Sequence, residues 1–229
     1  MSTGLFFVSS AKWHSRPKPQ IHIIGYKAST DIKNSSKYIN HNIYRNMDNP
    51  FEKMLSGERY TYSVPEVEAA FERAHRLCAS LQGLTIHDSK CRLILEELIP
   101  GLPASASVSP PFHCDLGSHI RLGEGVFVNF NAVMLDTGGI SIGNHTLIGP
   151  NCSFYTPRHP MDYLERREPQ ESAASIRIGD DCWLGGNVTV CPGVSIGSRT
   201  IVGAGSVVVH DLPSDVVAVG NPARIVRHL

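Results

Sequence analysis

An aliphatic residue, usually followed by glycine, returns at every sixth position through the second half of the chain. Ile178-Gly179, Leu184-Gly185, Val190, Ile196-Gly197, Val202-Gly203 and Val208 make one run, and Ile142-Gly143, Ile148-Gly149 and Phe154 keep its phase across a gap. Leu122-Gly123, Val128, Met134 and Ile140 form an earlier block, offset by a two-residue shift near "DTGGIS". Four residues after each aliphatic stands a small or branched residue: Val126, Ala132, Thr146, Cys152, Cys182, Val188, Val194, Thr200, Ser206. Positions two apart on a strand share a face. Each hexad is therefore a short strand that points a small and a large residue inward before a glycine-assisted turn. A helix cannot use a period of six, and a flat sheet does not need glycine so often. The pattern predicts a parallel β-helix with three hexads per coil. Residues 108–213, less a loop of ~18, leave about 88 residues, or roughly five coils.

Residues 47–105 follow a helical period. Phe51, Met54 and Leu55 have helical spacing. Val67, Ala70, Phe71, Ala74, Leu77, Cys78 and Leu81 make one apolar stripe, with Ser63 and Glu66 as a capping box, Pro65 in the first turn and Gly83 as a stop. A third helix is expected over 88–98, ending before "IPGLP". The stripe reads as packing surface, so 47–105 is a helical preface and 106–229 the β-helix with its tail.

The repeat stops after Phe154 and resumes in phase at Ile178. The excursion between them, "YTPRHPMDYLERREPQESAAS", is polar. A long loop inside a compact domain is usually functional. This one cannot join the stack, so it projects, and it carries His159 between Arg158 and Pro160.

Composition narrows the classes. Lys+Arg and Asp+Glu are 21 each in 229 residues, so overall charge gives no argument for nucleic acid or membrane. No apolar run nears the ~18 residues of a membrane span. Residues 1–46 hold seven Lys/Arg against Asp31 alone, with a P-x-P and an Asn/Ser-rich stretch. They read as a basic, disordered extension. Six cysteines without a CxxC pair fit reduced structural thiols and a cytoplasmic setting.

The repeat, the helical preface and the tail "VAVGNPARIVRHL" resemble the maltose/galactoside O-acetyltransferase family over about residues 48–229. "PPFHCDLGSHIRLGEGVFVNFNAVMLD" is similar to that family's entry into the β-helix, and "DDCWLGGNVTVCPGVSIGSRTIVGAGSVV" to its closing coils. The resemblance implies a left-handed parallel β-helix, a homotrimer, acetyl-CoA as co-substrate, no metal, and a carbohydrate hydroxyl as acceptor. It implies that His159, in a "T-x-x-H-P" loop, is the general base. Imidazole, with a pKa near ~6.5, suits that work at neutral pH. It further implies that the Gly186 N–H stabilises the oxyanion and that Trp183 walls the acetyl site. Asp115, Asn129 and Asp136 would line the acceptor pocket, and Ala204, Arg224 and Arg227 would contact the coenzyme. The chain departs from the family after "GERY": no carboxylate stands between Glu58 and Glu66. Tyr62, or its neighbour Thr61, is expected at the place of the missing acceptor-binding residue, or else Tyr62 packs against the helix.

Three other readings stand beside this one. The acceptor could be an amine or a non-sugar alcohol. A β-helix of this kind could be a zinc hydratase using His113, His119, His145 or His159, although 119 and 145 are out of six-residue register. A non-catalytic scaffold would explain the repeat but not the Arg-His-Pro loop.

Overall fold

The computed structural model describes residues 49–229. The basic extension expected over 1–46 lies outside the described residues. Three helices precede the coils: α1 (Pro50–Ser56), α2 (Pro65–Ser80) and α3 (Ser89–Leu98). The Asn49 side chain caps α1, and Gly57 in the left-handed region ends it. The capping box expected for α2 does not form. Its cap is Val64, with no side-chain bond, and the Ser63 hydroxyl donates to Glu68 instead. Pro65, at the first helical position, needs no N–H partner there. The apolar stripe is packing surface, with Val67, Ala74, Cys78 and Leu81 buried. The Cys78 sulfur lies 3.8 Å from that of Cys114 on the first coil.

The coils form three stacked parallel sheets. The first face contains Ser107–Val108, Phe127–Val128, Leu147–Ile148, Trp183–Leu184, Ile201–Val202 and Val216–Val219, closed by the antiparallel tail strand Arg224–His228. The second contains Phe112–Cys114, Ala132–Leu135, Ser153–Tyr155, Thr189–Val190 and Val207–Val208. The third contains Ile120–Leu122, Ile140–Ile142, Ile176–Ile178 and Ser195–Ile196. Every large and small inward residue read from the hexads is buried, at ~1.5–3 kcal/mol for each large aliphatic. The small register has a second function where it is polar: the hydroxyls of Thr146 and Thr200 and the thiol of Cys182 donate to corner carbonyls of Gly179, Pro213 and Gly197.

The pitch is not uniform. Phe127 pairs with Leu147 and Ile120 with Ile140, a pitch of 20 residues. Trp183 pairs with Ile201 and Arg177 with Ser195, a pitch of 18. The two-residue shift near "DTGGIS" belongs to these wider early corners. The hexad glycines also act differently from expectation. Left-handed backbone falls two residues later, at His145, Asn151, Asp181, Asn187 and Arg199, three of them Asn or Asp, the types that tolerate it best. Gly149, Gly179 and Gly185 are required by close approach: a Cβ there would lie 2.5–2.7 Å from the backbone of the next coil.

Candidate functional site

The excursion leaves the stack at the edge between the second and third faces. It is a hairpin, Pro157–Arg158 against Gln170–Ala173, with a 3₁₀ turn at Glu165–Arg167. Its root rests on the corner of the coil below. The Gly138 N–H donates to the Thr156 hydroxyl, which itself donates to the Leu135 carbonyl. A Cβ on Gly138 would come 2.8 Å from that of Ala173. On its other side the hairpin pairs with the preface strand Tyr60–Thr61, placing Tyr60 directly opposite Glu171.

His159 follows the first hairpin strand and is 53% exposed, with Nε2 3.6 Å from Oε2 of Glu171, which is 9% exposed. The Tyr60 hydroxyl donates to the other Glu171 oxygen. Burial raises the Tyr60 pKa and keeps its proton in place. Burial likewise raises Glu171, opposed by the Tyr60 hydrogen bond and the proximity of His159. Asp115 stands at the same edge, one coil below the hairpin root's corner. Burial, with Asp136 and Glu171 close by, raises it to about 7. Its carboxylate has no hydrogen-bond partner among the described residues. Asp136 is different: fully buried, it accepts from the N–H groups of Leu116 and His119. Its oxygens cap a corner.

Tyr62 packs with Phe51, Val64, Ala70 and Phe71 against the apolar cluster of Met54, Tyr60, Val67 and Leu116. That is the packing arrangement, with the ring beside α1 and α2.

The other anticipated residues gather at a different edge, between the first and second faces. Gly186 and Ala204 occupy successive layers there, and Asn129 a lower one, its side-chain oxygen accepting from the Phe130 N–H at 2.8 Å. The Gly186 N–H has no acceptor among the described residues. Trp183 stands on the first face, 55% exposed, in register with Leu147 and Ile201. Arg227 and Arg224 pair with Val217 and Val219 at the upper end of that face, both exposed. Thus His159 and Asp115 share one edge, while Trp183, Gly186, Ala204 and both arginines share another region. Tyr60 and Glu171 were not anticipated, because their pairing depends on a loop strand meeting a preface strand 111 residues away in sequence.

Among the described residues no three His, Cys, Asp or Glu side chains converge as metal ligands, and no helix is long and apolar enough to cross a membrane.

The model for the bacterial transferase hexapeptide (six repeats) matches residues 175–210. A hexapeptide-repeat acetyltransferase from Vibrio cholerae O1 biovar eltor, solved with acetyl coenzyme A, is 42% identical, with a TM-score of 0.74, over 79% of this chain and 98% of its own. A maltose O-acetyltransferase from Clostridium difficile 630 is 35% identical, TM-score 0.75, over 79% and 97%. A galactoside acetyltransferase solved with coenzyme A is 29% identical, TM-score 0.74, over 79% and 90%. On this likeness of sequence and fold, over nearly the whole length of each relative, the chain belongs to the maltose/galactoside O-acetyltransferase family of hexapeptide-repeat acetyltransferases, built on a left-handed parallel β-helix.

Proposed function

We propose that the protein transfers the acetyl group of acetyl-CoA to a hydroxyl of a sugar or sugar-like acceptor, with His159 as general base. One arrangement carries this reading: an exposed imidazole 3.6 Å from a buried carboxylate that Tyr60 holds in place, beside the unpartnered Asp115. One ring nitrogen faces Glu171, which leaves the other for the acceptor hydroxyl. As the oxygen bonds to the thioester carbonyl carbon, its proton passes to His159, and Glu171 stabilises the resulting imidazolium. The tetrahedral oxyanion collapses with cleavage of the C–S bond. The imidazolium returns its proton to the departing thiolate, giving an acetyl ester and free CoA. No enzyme nucleophile is needed, because the acyl group arrives activated.

The Gly186 N–H, without an internal acceptor, is suited to the oxyanion. Trp183 walls the acetyl and pantetheine site, Ala204 offers backbone along the groove, and Arg224 and Arg227 present guanidinium groups to the coenzyme phosphates. Asp115 accepts hydrogen bonds from acceptor hydroxyls, Asn129 adds an amide from the other edge, and Asp136 holds the corner behind Asp115.

The base and the coenzyme groove lie on different edges, so a complete site requires two copies. A cyclic trimer supplies three such sites, each with the hairpin of one chain against the first face of the next. The relatives solved with acetyl-CoA or CoA and the maltose and galactoside acetyltransferases support this choice of donor and acceptor class. The test is free-CoA release from acetyl-CoA over a panel of sugars, with light scattering for the assembly. Turnover with at least one sugar by a trimer is expected. A monomer with full activity would overturn the shared site.

A further inference from the structure

The third face differs from the other two in what it points outward. Its outward positions run Arg121, Ser141, Arg177 and Ser195, on adjacent strands in strict register. A hollow of about 280 Å³ opens where this ladder meets the corner at Gly138–Gly139. Arg121, Ser141, Ser175 and Arg177 all line it, and among the described residues no carboxylate does.

The donors in this hollow are largely unspent. Arg121 is held in place by one nitrogen, Nη1, which donates to the Ser118 and Ile120 carbonyls at 2.6 and 2.8 Å. Its Nε and Nη2 make no hydrogen bond among the described residues. The Arg177 guanidinium makes no hydrogen bond or ion pair among the described residues, and neither do the hydroxyls of Ser141 and Ser175. Arg199, by contrast, is exposed and engages Asp215 through two nitrogens. The strands that carry Arg121 and Arg177 flank that of Ser141, each ~4.8 Å away.

We propose that this hollow is a binding site for a phosphoryl group, separate from the acetyl-transfer site. Two guanidinium forks match the oxygens of a tetrahedral dianion, each able to donate two parallel bonds, and the Ser141 and Ser175 hydroxyls complete the set. The volume admits inorganic phosphate or the phosphorylated end of a small metabolite, and is below the usual range for a drug-sized ligand. The hollow adjoins Ser175 and Ile176, where the hairpin carrying His159 rejoins the coils. Occupancy would tie that root to the stack.

The experiment is calorimetric titration of the full chain with inorganic phosphate and, separately, with glucose 6-phosphate, in chloride buffer. Arg121→Gln, Arg177→Gln and the double variant are titrated alongside. Both arginines are exposed on strands whose inward residues are untouched, so the variants should fold. Saturable binding of one anion per chain is expected, at least tenfold weaker in either single variant and lost in the double. Tighter binding of the ester would identify a phosphorylated metabolite as the ligand, and equal binding would identify free phosphate. The proposal fails if neither probe saturates at millimolar concentration, if the double variant binds as well as the parent, or if acetyl-CoA displaces the phosphate competitively. The readout needs no acetyl transfer, so it stands or falls independently of the proposed activity.

Discussion

Two edges of the same coil stack behave as opposites. The edge between the first and second faces is built for closeness: Gly149 and Gly185 let successive turns approach until a Cβ would meet backbone at 2.6–2.7 Å. Among the described residues it carries no acidic side chain near Gly186 or Ala204, and it presents a backbone N–H. The edge between the second and third faces is wide. Its early corners carry two extra residues, its later one a whole hairpin, and Asp115, Asp136, Glu171 and His159 collect there. On the proposed reading, one edge supplies the coenzyme groove and the oxyanion donor, and the other supplies the base and the acceptor-binding groups. Acetyl transfer needs both. The difference shows how a repetitive fold makes a heterogeneous site, by regular packing on one edge and interruption of the repeat on the next.

The comparison breaks most directly at the base. His159→Ala should lower kcat by ~10²–10⁴, the range for losing a general base, with coenzyme binding nearly unchanged. Turnover near the parent value would remove the wide edge from the chemistry. The next effect tests whether the edges meet between chains. Ala204→Glu puts a carboxylate in the groove and should also inactivate. Mixing it with His159→Ala, then dissociating and reassembling, should restore about a quarter of the parent activity, since a random cyclic assembly pairs an intact hairpin with an intact groove at one interface in four. No recovery would mean that each site lies within one chain.

Glu171→Gln should cost ~10–100-fold in kcat, the usual loss when a group that orients a working residue is changed. It should also change the pH profile, because an amide cannot stabilise the imidazolium. An unaltered profile with lower activity would reduce Glu171 to packing. The smallest effect concerns Asp115. Its carboxyl is raised from 3.8 to about 7, so between those values the folded state binds a proton that the unfolded chain releases. Stability then falls as pH rises from about 4 to about 7. Asp115→Asn removes that dependence. Its Tm should exceed the parent's at pH 8 by ~2–4 °C, the shift for about 1 kcal/mol at this size, and the gap should close towards pH 4. A gap independent of pH would assign the effect to packing.

The hexad register was readable because its cause is local: a residue's place in a strand decides whether it faces in, and the next coil repeats the demand 18 or 20 residues later. Inward aliphatics, small partners and the interruption at Phe154 all follow from that period. The glycines were legible as positions but not as reasons, because their need arises from the coil above. The polar loop that carries His159 was legible as a break in the period, whereas the role expected of His159 came from the resemblance of "TPRHP" to the family's loop. Glu171 and Tyr60 were not, since nothing near either residue marks its partner. The Ser63–Glu66 capping box failed although its local pattern was complete. Sequence by itself thus determined the coil, its phase and the point where it breaks, all set by burial along one strand at a time. Only the tertiary structure decided which edge each polar residue occupies, which carboxylate stands against His159, and that Tyr62 packs against the helices. These depend on contacts between segments far apart in the chain, where burial and hydrogen bonding are settled jointly.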